Sequence, residues 1–374
     1  MKSGLWRFFD FWLLGAVLVL VILGATMIRS AIAGNIELTE TTPLVERQII
    51  FAGIGLVALI IFANIDYRVW SSMSNTLYAG TILVLVALNV IGGALFGSAR
   101  WFQTTLVFIQ PSEFAKITMI LTMAHFFVVH FHQMQETKWI LRSFLMAMGI
   151  TVWVILQPNL STSIVLLVLW FTLLWFSGVS IRLLATYALI GIVALSIAFP
   201  LLVQFGIIQQ YQLARVMNFV SPDPNARYGE IFNINQALIS IGSGGLFGQG
   251  YGQGSQVQLR FLKVRWSDFI FSTTAHELGF VGAILIIGMI LFVVFRCLYA
   301  AKVSRDIYGS LISYGVATLI AFQAFVNLGV NLNLLPATGL TLPFVSYGGS
   351  SILANMIAIG LVESVIMRRN IIEI

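Results

Sequence analysis

Charge is scarce in this chain. Asp, Glu, Lys and Arg make up 9% of its 374 residues, against about 25% in an ordinary soluble domain. So little charge cannot clothe a water-facing surface, which excludes a soluble globular enzyme. Cysteine is nearly absent. Cys297 stands alone, so the chain has no internal disulfide framework. Strict alternation of apolar and polar residues is also missing. The apolar runs are continuous, which excludes a transmembrane β-barrel. No G-x-G-x-x-G follows a strand, so dinucleotide binding lacks its motif. His125, His130 and His132 sit at i, i+5 and i+7 and do not share one helix face, which argues against a metal site there.

What remains is apolar. Hydrophobic residues make up 59% of the chain, and its mean hydropathy is +0.96. A membrane span needs about 20 such residues. Lipid cannot satisfy backbone polar groups, so the spans are helices. The runs predict an all-α polytopic membrane protein, one domain over 1–374, with about ten transmembrane helices. These fall near 11–30, 48–65, 77–97, 112–131, 142–157, 162–178, 184–206, 269–296, 309–335 and 341–367. The first run follows Lys2 and Arg7 and precedes Ala31-Ile-Ala33, as a secretory signal would. It is longer than a signal core of roughly 7–15 residues, so it reads as a retained helix.

Basic residues set the expected orientation. An inward N-terminus puts Lys2, Arg7, Arg68, Lys138, Arg142, Arg182, Arg296, Lys302, Arg305, Arg368 and Arg369 on the inner face. Only Arg29, Arg47 and Arg100 then fall in short outer loops. Both termini are therefore expected in the cytoplasm. The net charge of +6 reflects this asymmetry and does not point to nucleic acid. One large extracytoplasmic loop, 207–268, is expected between spans seven and eight. Within it, 231–241 reads as a mildly amphipathic surface helix. The Gly-rich run Ile239–Gly254 reads as backbone free to approach a ligand closely.

The candidate chemistry gathers around that loop. Leu262-Lys-Val-Arg-Trp-Ser-Asp-Phe-Ile-Phe271 puts Asp268, Lys263 and Arg265 where the loop meets a span. Asp268 can serve as a helix-start acid or as a general base whose apolar neighbours raise its pKa. Glu113 and Lys116 are three residues apart on one helix face. They form either a structural ion pair or a site in which Lys116 meets a diphosphate. Arg47, Arg100 and Arg215 have the fork geometry that suits phosphate oxygens, although each also suits an interfacial anchor. His276 and Glu277 follow Asp268 by eight and nine residues, a little over two helical turns, as candidate cavity residues. Thr341–Ser351 offers hydroxyls and small residues, for cavity lining or for close packing.

In order along the chain stand Ser30-Ala31, Arg47-Gln48, Ile65-Asp-Tyr-Arg68, Ala99-Arg-Trp101, Gln110-Pro-Ser-Glu-Phe-Ala-Lys116, Gln157-Pro158 and Gly248-Gln-Gly250. They continue through Gly254-Ser-Gln256, Asp268-Phe-Ile-Phe271, Glu277-Leu-Gly279 and Phe344-Val-Ser-Tyr-Gly-Gly-Ser350. With these motifs the chain resembles the SEDS (shape, elongation, division, sporulation) family over nearly its whole length. The resemblance implies a peptidoglycan glycosyltransferase of the bacterial inner membrane. It would polymerise lipid II at the outer face, with undecaprenyl diphosphate as leaving group. Asp268 falls on the family's catalytic aspartate. Arg47, Arg100, Lys116, Arg215, Gln256, Lys263, Glu277, Ser346 and Ser350 are the expected substrate contacts. The expected partners are lipid II, the undecaprenyl-diphosphate-linked glycan, a class B penicillin-binding protein as transpeptidase, and other elongation-complex membrane proteins. A divalent cation, Mg or Mn, is a candidate cofactor.

The chain departs from the family pattern at three places. Gln157-Pro-Asn-Leu-Ser-Thr162 replaces Gln-Pro-Asp-Leu-Gly-Thr. Leu262-Lys-Val264 replaces a Leu-Pro-Glu. His276-Glu-Leu-Gly279 replaces Glu-Glu-Leu-Gly. Any second acidic role at 159, 264 or 276 is thereby lost, while Asp268 and Glu277 remain. The residues by themselves also fit a lipid-linked sugar flippase or a non-catalytic membrane scaffold for cell-wall enzymes.

Overall fold

A computed structural model describes residues 5–33, 43–96, 100–103, 108–133, 135–206, 209–222 and 229–369. Eight described helices are long and apolar enough to cross a membrane, and two more, over Ser74–Val90 and Leu160–Phe176, are apolar and shorter. These ten are α1 (Phe11–Ile32), α2 (Leu44–Asn64), α4 (Ser74–Phe96), α5 (Pro111–Val129), α6 (Thr137–Leu156), α7 (Leu160–Phe176), α8 (Ile181–Gln204), α12 (Ile270–Val303), α13 (Ile307–Asn331) and α14 (Gly349–Met367). Shorter pieces fill the connections: α3 (Tyr67–Ser72), α9 (Gln210–Val220), α10 (Gly229–Ser243) and α11 (Ser255–Gln258). A two-residue antiparallel pair, Phe102–Gln103 with Phe108–Ile109, precedes α5. The helices begin where caps allow. The Asp10 carboxylate accepts from the amides of Trp12 and Leu13 to start α1, and Asp306 accepts from Gly309 to start α13.

Helix α14 is the axis of the bundle. Of its span, 89% is buried, against 6% for α8, which stands at the periphery. Glycine permits the tight contact between α14 and α2. A Cβ at Gly360 would lie 2.6 Å from the Leu59 carbonyl, and one at Gly55 would lie 2.9 Å from Met356. Without a hydrophobic drive between helices in lipid, such close backbone approach supplies the packing.

Three expectations change, two of them span boundaries. The last span begins at Gly349, because Thr341–Gly348 is not helical. Its residues are instead tied to other segments, Ser346 to Ser267 and Tyr347 to Trp266. The eighth span runs on to Val303 and is broken inside, at Gly279 with φ 69° and ψ −164°. The Gly-rich run is the third change, since it packs against that break in α12 and not against an open cavity. The amides of Gln249 and Gly250 donate to the carbonyls of His276 and Glu277, each at 3.0 Å. The amides of Phe280 and Val281 donate to Gly245 at 2.9 Å and Leu246 at 3.1 Å. The break frees helical donors and acceptors in the apolar zone, and the loop satisfies both kinds.

Glycine is required at this contact. A Cβ at Gly248 (φ +80°) would lie 2.1 Å from the Glu277 carbonyl, and one at Gly244 would lie 2.0 Å from the Ala275 carbonyl. Part of the expected outer loop therefore reaches down beside α12, level with a residue about 14 Å from the helix start at 1.5 Å per residue. Phe247 at its tip is 79% exposed, as a lipid-facing side chain would be. The expected amphipathic stretch 231–241 lies within α10, which buries Ile234, Ala237 and Ser240. The turn-rich stretch 221–225 runs beyond the described residues after Pro222.

Candidate active site

Asp268 stands at the wall between two cavities. The larger, about 490 Å³, is lined by Arg47 and Phe51 of α2, Trp101, Gln110 and Glu113 before and within α5, Asn159 and Thr162 at the start of α7, and residues of 339–351. The smaller, about 140 Å³, is lined by Arg215 of α9, Glu230 and Asn233 of α10, Val264, Asn327 and Val330 of α13, and residues of 337–340. Both cavities share Asp268, Gly339 and Leu340. All these residues gather at the end of the bundle where α2, α5, α7, α12 and α14 begin.

The backbone around Asp268 is held from two sides. Asn327 and Asn331 of α13 donate their side-chain amides to its main-chain carbonyl at 3.1 and 2.9 Å. Asn331 Oδ1 accepts from the amide and hydroxyl of Ser272, at 3.2 and 2.6 Å, which satisfies an amide in the first turn of α12. From the segment before α14, Ser346, which is buried and lines neither cavity, donates its Oγ to the Ser267 carbonyl at 2.7 Å and accepts from the Leu342 amide at 2.9 Å. Gln48, fully buried, donates to the Ser346 carbonyl and accepts from the Gly348 amide, each at 3.2 Å. Non-glycine residues with positive φ flank the site: Val264 at 52° and Phe344 at 66°. A β-branched residue in that region is strained, and such strain persists only where the surroundings hold it.

The carboxylate itself is lightly held. Asp268 Oδ1 accepts from Ser267 Oγ at 3.0 Å. Burial raises its pKa above the usual aspartate range; the Ser267 hydrogen bond and Arg215 pull it down, and Glu230 pushes it up. A half-buried carboxylate tuned upward and facing a cavity has the character of a general base.

The other expected contacts divide by position. Arg47 and Ser350 line the larger cavity, and Ser350 Oγ also accepts from the Gln110 amide at 2.9 Å. Arg215 lines the smaller cavity, paired through Nε with Glu230 at 2.7 Å. Lys116 is 1% exposed and donates to Glu113 Oε2 at 2.7 Å; only Glu113 reaches the cavity. Arg100 donates to the carbonyls of Gln157 and Pro158 and to Tyr211 Oη, so it braces the α6–α7 corner. Glu277 is fully buried, accepting from Ser30 Oγ and the Gly252 amide beneath the Gly-rich loop. The Gln256 amide donates to His276 Nε2 at 3.2 Å. Arg265 is buried against the Ala31 carbonyl, and Lys263 is exposed and lines neither cavity. Asn327 and Asn331 escape a sequence reading, and Gln48 enters it only as the motif neighbour of Arg47, because amides buried in spans carry no local signal of the distant residue they hold.

Among the described residues the carboxylates do not assemble a metal site of their own. Among the described residues no cluster of three or more His, Cys, Asp or Glu exists. The two other cavity carboxylates, Glu113 and Glu230, are each ion-paired at 2.7 Å. Among the described residues a divalent cation at these cavities would find one carboxylate outside an ion pair, Asp268.

A family model described as "Cell cycle protein", FTSW_RODA_SPOVE, matches residues 11–371. Stage V sporulation protein E of Bacillus subtilis (strain 168) is 33% identical over 366 residues, covering 95% of this chain and 96% of that protein. Peptidoglycan glycosyltransferase MrdB of Escherichia coli (strain K12) is 34% identical over 358 residues, covering 95% and 94%. Among solved structures, a chain of a peptidoglycan synthase complex that coordinates polymerization and crosslinking superposes with a TM-score of 0.77 at 27% identity, covering 97% of this chain and 98% of that one. Thermus thermophilus rod shape determining protein RodA superposes with a TM-score of 0.69 at 28% identity, with the same coverage.

Proposed function

The chain belongs to the FtsW/RodA/SpoVE family of cell cycle proteins, and from that membership we infer that this peptidoglycan glycosyltransferase polymerises lipid II at the outer face of a bacterial inner membrane, with Asp268 as its general base. The observation that carries the assignment of the base is the position of Asp268. It is the one carboxylate shared by both cavities, and among the described residues it has no ion-pair partner.

The reaction joins two lipid-linked saccharides. A hydroxyl of the incoming lipid II gives its proton to the Asp268 carboxylate as its oxygen bonds to the anomeric carbon of the growing strand. The bond from that carbon to the diphosphate breaks, and undecaprenyl diphosphate leaves with the electron pair. Attack opposite the leaving group inverts the anomeric configuration, as in one-step inverting glycosidases. Charge develops on the diphosphate, where preorganised donors count most. Arg47 is the cation in the larger cavity and is the best placed to meet it. Ser350 Oγ and the segment 348–351 add polar groups on the same wall. Lys116, Arg100 and Lys263 are placed elsewhere and Arg215 lines the smaller cavity, so the diphosphate role falls to Arg47.

The collection of polar groups at one end of the bundle favours a polymerase over a flippase, which needs its site near the midplane. The basic residues at the opposite end support cytoplasmic termini and an extracytoplasmic site. A solved relative comes from a complex that couples polymerization to crosslinking, which supports a transpeptidase partner of the class B penicillin-binding type. The test is polymerisation of purified lipid II by the purified protein. The wild type makes glycan strands and Asp268→Ala makes none; strands from the variant at the wild-type rate would remove the base assignment.

A further inference from the structure

The smaller cavity has no role in the mechanism so far, although it reaches the same carboxylate. Its lining is mixed in a particular way. Part of it is apolar, with Val264, Val330 and Ala337. Beside Glu230 and Asn327, the polar part includes Asn233, whose Oδ1 is buried and has no hydrogen-bond partner among the described residues. A buried acceptor left alone costs about 1–3 kcal/mol, so it is expected to be served by a ligand or a water. Arg215 also lines the space, and its guanidinium carries donors beyond the Nε that serves Glu230. The chamber therefore offers an acceptor, a donor and an apolar part. At about 140 Å³ it has room for roughly four waters at ~30 Å³ each, too little for a disaccharide.

An acetamido group fits this description. It has one N–H to donate, one carbonyl to accept and one methyl to bury. Both amino sugars of lipid II carry one at C2. We propose that the smaller cavity binds the 2-acetamido group of the sugar whose hydroxyl attacks, and so delivers that hydroxyl to Asp268. The N–H donates to Asn233 Oδ1, the carbonyl accepts from Arg215, and the methyl lies against Val264, Val330 and Ala337. Asp268, on the shared wall, then takes the proton while the anomeric carbon and diphosphate occupy the larger cavity. This rests on the polymerase reading and adds to it a specificity determinant: the acceptor is selected as an N-acetylated sugar.

The test compares two substrates with the full-length purified protein. One is lipid II. The other is lipid II with a free amine in place of the acetamido group on the sugar that carries the attacking hydroxyl. The wild type is expected to prefer the acetylated substrate by about ten- to a hundredfold in kcat/KM, the range for losing specific contacts in a fitted pocket. Ala337→Leu fills the chamber and should bring that ratio towards one, chiefly by losing rate on the acetylated substrate. Asn233→Leu removes the acceptor and should narrow the ratio as well. A ratio of rates does not depend on the folded fraction, so poor yield of a variant does not blur the result. Equal use of both substrates by the wild type overturns the proposal while leaving the polymerase intact. A strong preference that neither variant narrows also overturns it. Failure of the wild type to polymerise either substrate removes the polymerase reading and this inference with it.

Discussion

Replacing the members of the Glu113–Lys116 pair one at a time and together should give sharply non-additive stability. Lys116 Nζ lies 2.7 Å from Glu113 Oε2, with the lysine side chain 1% exposed and the glutamate 9%. At an effective dielectric near 20, that separation sets a ceiling of about 6 kcal/mol on the attraction. Desolvation of both ions offsets much of it, so the net worth of the intact pair is small. The cost appears when one partner goes. An orphaned buried charge destabilises by about 3–5 kcal/mol. The two single variants should differ, because Glu113 borders the larger cavity and Lys116 does not. In Lys116→Met the remaining carboxylate can hydrate or take a proton, which puts the loss near 3 kcal/mol. In Glu113→Gln the ammonium stays dry, which puts the loss near 5 kcal/mol. The double variant removes both ions and should recover to within about 1–2 kcal/mol of wild type. Unfolding of the four purified proteins in one detergent measures this. The double variant should also retain measurable polymerisation, since Lys116 does not reach the cavity. Additive losses would refute the pair as a coupled unit. A double variant that folds like wild type but makes no strands would return Lys116 to the diphosphate.

Asp268→Asn should lower polymerisation by about 10²–10⁴-fold with unchanged melting, because the amide keeps the shape and cannot take a proton; quantified strand yield beside a melting curve checks it. The base acts only when ionised and burial raises its pKa, so the acid limb of the wild-type rate should lie above the ordinary aspartate value of about 3.9. Glu230 contributes to that rise, so Glu230→Gln should move the limb to lower pH; a shift to higher pH would contradict the electrostatics. Gly279→Ala must hold a side chain at φ 69° against Gly248 N at 2.3 Å. Strain of about 1–3 kcal/mol should lift the Gly-rich loop from α12, seen as faster amide exchange at 249–250 and 280–281. With Cys297 changed to Ser, a cysteine at Ser221 should react with an impermeant thiol reagent in intact spheroplasts, and one at Thr137 only after permeabilisation; the reverse would invert the membrane orientation.

The sequence by itself determined the class of the fold and the apolar runs that become its helices. Continuous apolar runs of span length admit one backbone solution in lipid, and that constraint is local. Asp268 was legible for the same reason, since a carboxylate beside an apolar run is costly unless it has a use. The motifs carried the family, and with it the expectation that Asp268 is the catalytic residue. Tertiary structure decided what each polar residue does. Glu113 and Lys116 are adjacent on any helix, but only packing shows that one meets the cavity and the other is sealed behind it. Arg47 and Arg100 look alike as outer arginines; one lines the cavity, and the other is spent on carbonyls at a helix corner. The Gly-rich run reads as a ligand cradle until its backbone is seen against the break at Gly279. Thr341–Gly348 reads as the start of a span because it is apolar enough, yet its residues are bonded to Trp266, Ser267 and Gln48. Hydropathy and periodicity report what a segment can bury. They do not report which distant donor or acceptor claims its backbone, and that pairing gives the site its shape.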